Sequence, residues 1–182
     1  MSLSRIERAI SLAVRSHEGQ VRDGDDGLPY VSHPFEVMMN LQFIGQITDE
    51  DLLCVAMLHD VVECGGATTA GIGADFGVRV RDLVVELTRK EPTPAEVSDL
   101  SKGQVWQLRS CWLLGEISAM SSDAQTVKLA DRISNLQEAF RVKRGRKLAR
   151  YLAQTEAILE IIPRKRNPRL WQAIKDILPA KT

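Results

Sequence analysis

The chain has 182 residues, 44% apolar and 26% charged, with a formal net charge of zero. That length suits a single domain over residues 1–182 that buries roughly 70% of its unfolded surface, so neither disulfides nor a structural metal is needed for a core, and the composition excludes intrinsic disorder. Balanced charge excludes an overall field drawing the chain onto nucleic acid or an anionic membrane; apolar runs stay far below the roughly 20 residues of a membrane span and no signal pattern opens the chain, so a cytoplasmic protein is expected.

Ser4 is a natural cap for a first helix in which Ile6, Ala9, Ile10, Ala13 and Val14 recur at helical spacing, ending at His17. Glycine and proline between Gly19 and Pro34 predict an irregular connection, after which Pro34 opens a helix over Phe35–Ile44 closed by Gly45. Thr48 or Asp49 caps the next helix, whose residues Leu52 to Val62 are apolar on nearly every side and therefore belong at the centre of the fold. Gly65 and Gly66 end it; a short helix to about Phe76 and an amphipathic one over Val78–Thr88 follow.

The segment Arg89–Ser101, with Pro92 and Pro94, predicts the longest loop. Helices are then expected at about Lys102–Met120, Asp123–Phe140, Gly145–Ile162 and Pro168–Leu178. No strand-like alternation and no internal repeat emerges, so the fold class is an all-α bundle. The basic run Arg141, Lys143, Arg144, Arg146 and Lys147 reads either as a solvated helix junction or as a phosphate-facing patch. Trp106 and Trp112 read as core by amphipathic packing, with a contact surface as the alternative; nothing fixes an oligomeric state.

Three cysteines without C-x-x-C spacing argue against a disulfide framework or a cysteine-based zinc site; Cys54 and Cys111 read as small buried hydrophobes. The chain has three histidines, and each sits at a pointed place: His17 at a helix end, His33 before Pro34, and His59 in the most apolar helix. A buried imidazole needs partners, and Asp60 beside His59 needs neutralising; one cation satisfies both. Further ligands must come from elsewhere, and Val127–Leu136 offers Asp131, with Lys128 and Asn135 on the same helical face. Two His and two Asp suit Mn2+ best, with Fe2+, Zn2+ or Mg2+ also possible.

The strings His17-x-Gly-Gln-x-Arg22, Gly27-x-Pro29-Tyr30-x-x-His33-Pro34, Leu58-His59-Asp60-Val61-Val62-Glu63, Phe76-Gly77 and Val127-Lys128-Leu129-Ala130-Asp131-Arg132-x-x-Asn135-Leu136 resemble the hydrolase domain of RelA/SpoT-type proteins over about residues 5 to 160. Length is similar to the small stand-alone SpoT homologues that lack a synthetase domain. The resemblance implies an HD-domain helical bundle, His33, His59, Asp60 and Asp131 as metal ligands, and release of pyrophosphate from the ribose 3′ position of guanosine tetra- or pentaphosphate. It also implies Glu63 as the residue that orients or deprotonates water, and Arg22, Tyr30, Lys128, Asn135 and Tyr151 as substrate contacts. His17 resembles a supporting position.

Two positions depart from that pattern. Cys64 follows Glu63 where the family carries a second carboxylate, a loss worth a factor on the order of 10²–10⁴ if that group does acid–base work. Cys64 is thus either a neutral packing change beside a sufficient Glu63, a mark of changed nucleotide specificity, or a mark of a non-hydrolysing nucleotide sensor. Asp23 stands where the family commonly has lysine and would repel substrate phosphates. A structural adaptor, the remaining alternative, would bind no metal.

Overall fold

The computed structural model describes residues 4–24 and 27–180. Among them lie ten α-helices: α1 (Arg5–Ser16), α2 (Ser32–Met39), α3 (Glu50–Leu58), α4 (Thr69–Phe76), α5 (Val78–Leu87), α6 (Pro94–Val97), α7 (Lys102–Ala119), α8 (Ser122–Val142), α9 (Gly145–Ile161) and α10 (Pro168–Ile177). The only β pairing among the described residues is an isolated antiparallel bridge between Val21 and Pro29. The all-α expectation holds.

Local chemistry sets most boundaries. Ser4 accepts from the Glu7 amide while the Glu7 side chain returns to the Ser4 amide, a reciprocal cap that starts α1. α2 begins earlier than the sequence suggests, because Pro34 occupies its first turn, where a missing N–H leaves no bond unmade. It then widens into a π-helical turn over Asn40–Ile44, where the Gly45 amide reaches the Asn40 carbonyl and Asn40 Nδ2 donates to the Ala130 carbonyl. The expected loop at Arg89–Ser101 contains α6, nucleated by a Thr93/Glu96 capping box.

The central helix is shorter than its apolar pattern. α3 stops at Leu58, and residues 59–64 continue as turns. There the His59 ring accounts for the change: its Nδ1 lies 2.8 Å from the Ala56 carbonyl, the group that a continuing helix would offer to the Asp60 amide.

Residues Leu52 to Leu58 are all buried, and α3 sits against α1, α2, α5 and α8. α8 is the other central element, burying both polar and apolar side chains along its length. α7 packs on α9 at the periphery. Consequently Cys111 is exposed, contrary to expectation, while Cys54 is buried. Trp106 and Trp112 are half-buried and outside the main core cluster, with Trp106 lying under the Arg150 guanidinium, 5.3 Å from its ring centre.

Candidate metal centre

α2, α3 and α8 pack so that four side chains face one point. His33 comes from the first turn of α2, His59 and Asp60 from the turns that follow α3, and Asp131 from the middle of α8. His33 Nε2 lies 3.2 Å from Asp131 Oδ1 and 3.6 Å from Asp60 Oδ2; His59 Nε2 lies 3.3 Å from Asp60 Oδ1 and 3.9 Å from Asp131 Oδ1. Atoms that share an ion at about 2.1 Å stand about 3 Å apart in adjacent positions and about 4.2 Å apart across it, the range of these separations; His33, His59 and Asp60 each offer a ligand atom within 4.8 Å of the others, and Asp131 approaches that group through the two imidazoles.

Ring orientation gives an independent test of that fit. The Ala56 carbonyl can only accept, so the proton of neutral His59 sits on Nδ1 and its lone pair on Nε2. That Nε2 is buried and has no hydrogen-bond partner in the protein. An imidazole nitrogen left in this way beside two carboxylates is destabilising unless something electron-poor meets it, and a divalent cation does so.

Positive charge around the two carboxylates keeps them ionised. Burial opposes ionisation of Asp131, but Lys128, His33 and His59 outweigh it and hold its carboxyl well below the usual range. Asp60 is likewise lowered against burial, by His59, His33 and a hydrogen bond from Tyr30. Burial raises the Glu63 carboxyl, and nearby Asp60 adds to the rise. The site thus keeps two carboxylates ionised and a third, at its edge, more basic than usual.

The residues expected to meet substrate are instead mostly engaged with the ligand candidates or with one another. Tyr30 donates its hydroxyl to Asp60 Oδ2 at 2.7 Å. Lys128 Nζ lies 2.8 Å from Asp131 Oδ2, and Asn135 Nδ2 donates to Asp131 Oδ1. Arg22 is buried, with Nη1 on Glu36 Oε2 and Nε on Glu138 Oε1, each at 2.8 Å; a guanidinium free to stack on a base is therefore not what the fold provides. Two cations lie over Tyr151, the Arg132 guanidinium 4.6 Å and the Lys143 ammonium 5.4 Å from its ring centre. Glu63 Oε1 accepts from the Arg89 amide at 2.7 Å.

The Cys64 thiol points to two backbone carbonyls, those of Ser16 and Val61, both at 3.4 Å. His17 is buried, stands 4.8 Å from the Tyr30 ring and pairs through Nδ1 with Gln20. The sequence reading passed over Glu36 and Ser134; their signal was spacing, since Ser134 lies one turn after Asp131 and Glu36 one turn after His33.

A cavity of about 830 Å³ lies beside this centre rather than on it: Arg22, Asp23, Arg141, Lys143, Arg144 and Lys147 contribute its polar lining. The basic run therefore faces a concave surface. Asp23 sits there among cations, which offset the repulsion that its carboxylate alone would exert on an anion.

Comparison with known proteins places this geometry. The chain matches the HD domain family over residues 9–159. It is 33% identical over 133 residues to guanosine-3′,5′-bis(diphosphate) 3′-pyrophosphohydrolase MESH1 of Xenopus tropicalis, covering 73% of this chain and 68% of that protein. The Homo sapiens MESH1 is also 33% identical, over 135 residues, 74% of this chain and 69% of its own. A solved structure of a metazoan SpoT orthologue that hydrolyses ppGpp superposes with a TM-score of 0.81 at 26% identity, covering 97% of this chain and 95% of that one. Motif order, helical architecture and these likenesses agree, and the chain belongs to the HD-domain family, among its RelA/SpoT-type hydrolases.

Proposed function

We propose that the chain is a divalent-cation-dependent pyrophosphohydrolase that releases pyrophosphate from the 3′ position of guanosine tetra- or pentaphosphate. In this reading His33, His59, Asp60 and Asp131 hold the cation, Mn2+ foremost. The observation that carries it is the unpartnered, buried Nε2 of His59, 3.3 Å from Asp60 and 3.9 Å from Asp131. The activity of the MESH1 relatives supplies the substrate class.

A bound divalent cation would lower the pKa of water and polarise a phosphoryl oxygen. Glu63, made more basic by burial, takes the proton of the attacking water. A bond forms from water oxygen to phosphorus, the bond from phosphorus to the 3′ oxygen breaks, and that oxygen is protonated from solvent. Tyr30 and Asn135 keep the carboxylates of Asp60 and Asp131 oriented. Lys143, Arg144 and Lys147, across the adjoining cavity, hold the remaining phosphates by charge.

The unpaired thiols suit a cytoplasmic setting. No described helix is long and apolar enough to cross a membrane. Purified protein given Mn2+ and guanosine tetraphosphate should yield pyrophosphate and guanosine 5′-diphosphate in equal amounts, and a chelator should stop it. Metal-loaded protein without turnover overturns the proposal. One observation favours a second reading, a nucleotide sensor: the thiol at position 64 bonds backbone carbonyls and offers no second carboxylate. Calorimetric nucleotide binding without product identifies that case.

A further inference from the structure

We infer that Ser134, Glu36 and Arg22 are positioning residues that fix the ring and tautomer of His33, and so set how tightly the centre holds its cation; this rests on the metal-binding reading above. The bonds run in one direction only. Arg22 is a pure donor, and its Nη1 on Glu36 Oε2 keeps that carboxylate a pure acceptor. The single hydroxyl proton of Ser134 goes to the same Oε2, at 2.5 Å. The serine oxygen is then left to accept, and it lies 2.9 Å from His33 Nδ1. His33 must therefore carry a proton on Nδ1, which makes Nε2, facing Asp131 and Asp60, the nitrogen that a cation there would meet.

Nothing else can do this at the site. Ser134 is fully buried, so solvent cannot replace its oxygen. Arg22 is itself anchored from behind by Glu138, and its backbone amide bonds the Leu28 carbonyl at 2.9 Å, next to the Val21–Pro29 bridge. Two carboxylates against one guanidinium leave a net negative charge behind His33, which strengthens the imidazole as a donor. The two histidines thus differ. A backbone carbonyl fixes His59, whereas side chains fix His33, and side chains can be changed.

The test is calorimetric titration of Mn2+ into wild type, Ser134→Ala, Ser134→Thr, Glu36→Ala and the Ser134→Ala/Glu36→Ala double variant, with thermal melts to verify folding. Loss of an outer partner of a metal-bound histidine weakens affinity about 10–100-fold, the expectation for Ser134→Ala and for Glu36→Ala, where the freed hydroxyl proton can turn toward Nδ1. Ser134→Thr, which keeps the hydroxyl, should bind like wild type. The double variant should be no weaker than either single one, because both break the same chain of bonds. Nitrogen-15 histidine spectra of Zn2+-loaded protein should show a protected His33 Nδ1–H that disappears in Ser134→Ala. Wild type that binds no metal overturns the metal reading and this inference with it. Wild type that binds, with Ser134→Ala equally tight or His33 protonated on Nε2, overturns this inference alone.

Discussion

His33 Nε2 lies 3.2 Å from Asp131 Oδ1, and the other oxygen of that carboxylate is held by Lys128 Nζ at 2.8 Å. Asp131 thus has two duties, toward a cation and toward a largely buried ammonium. Asp131→Asn should remove metal binding and leave Lys128 uncompensated. Breaking a pair so buried costs about 3 kcal/mol, or about 6–12 °C in Tm for a chain of this size. Adding Lys128→Met should recover most of the Tm and none of the metal binding. Calorimetry and melting curves separate the two duties, and an Asp131→Asn protein that still binds Mn2+ contradicts the assignment.

Tyr30 offers a cleaner probe, because its ring and its hydroxyl act on different neighbours. The ring packs against His17 and His33, 4.8 and 5.7 Å between centres, and the hydroxyl donates to Asp60. Tyr30→Phe keeps the packing and deletes the bond. Stability should fall by about 1 kcal/mol, the net worth of one hydrogen bond. Metal affinity should fall by about 10–100-fold, since Asp60 loses the group that orients it. An unchanged Mn2+ titration would separate Tyr30 from the centre.

The His59–Asp60 pair was legible as a ligand candidate because burying imidazole and carboxylate together demands a neutralising partner; His33 as a further ligand came from the family resemblance. Helices were legible from apolar spacing and caps. What escaped was the end of α3, since it depends on a side chain capturing the Ala56 carbonyl, and no apolar pattern encodes that. Arg22 was read as a substrate contact; its two acidic partners, Glu36 and Glu138, reach it only through packing of α2 and α8. Cys111 was misplaced for the opposite reason, as an apolar-looking helix position turned out to face outward from α7.

Cys64→Asp tests how much the missing carboxylate matters. Both partners of the thiol are carbonyl oxygens, which accept and cannot donate. An ionised aspartate cannot keep that position and must turn away. With Glu63 already present, a second acid–base group should raise kcat by about 10²-fold or more, with Mn2+ affinity unchanged. If kcat does not move, Glu63 alone carries the proton transfers.

The basic cavity predicts a charge effect confined to binding. Asp23 is its acidic member, against Arg141, Lys143, Arg144 and Lys147. Removing one like charge at the distance of a bound phosphate is worth about 1 kcal/mol in water, so Asp23→Asn should lower KM about fivefold with kcat unchanged. Lys147→Glu should raise KM. Both effects should shrink as added salt shortens the screening length. A KM that is indifferent to both substitutions moves the substrate phosphates elsewhere.

Far from the centre, Arg79 joins three helices: Nη1 lies 2.8 Å from Asp49, which caps α3, and 3.1 Å from Asp51, while Nη2 lies 2.8 Å from Asp123 on α8. Burial favours the neutral form of Asp49, but Arg79 and the amides of Leu52 and Asp51 outweigh it and lower its pKa. A lowered carboxylate adds stability above its unfolded value, about 3.9, and loses it as pH falls through the lower folded value. Chelator-treated wild type should therefore melt higher than Arg79→Ala at pH 7. Exposed pairs of this kind are worth up to about 1 kcal/mol, so the gap should be about 2–4 °C. Below about pH 4 the gap should begin to shrink, because Asp49, one of the three partners of Arg79, loses its charge as pH falls through its lowered folded value. A gap that stays constant from pH 7 to pH 3 would mean that Arg79 stabilises the chain by packing alone.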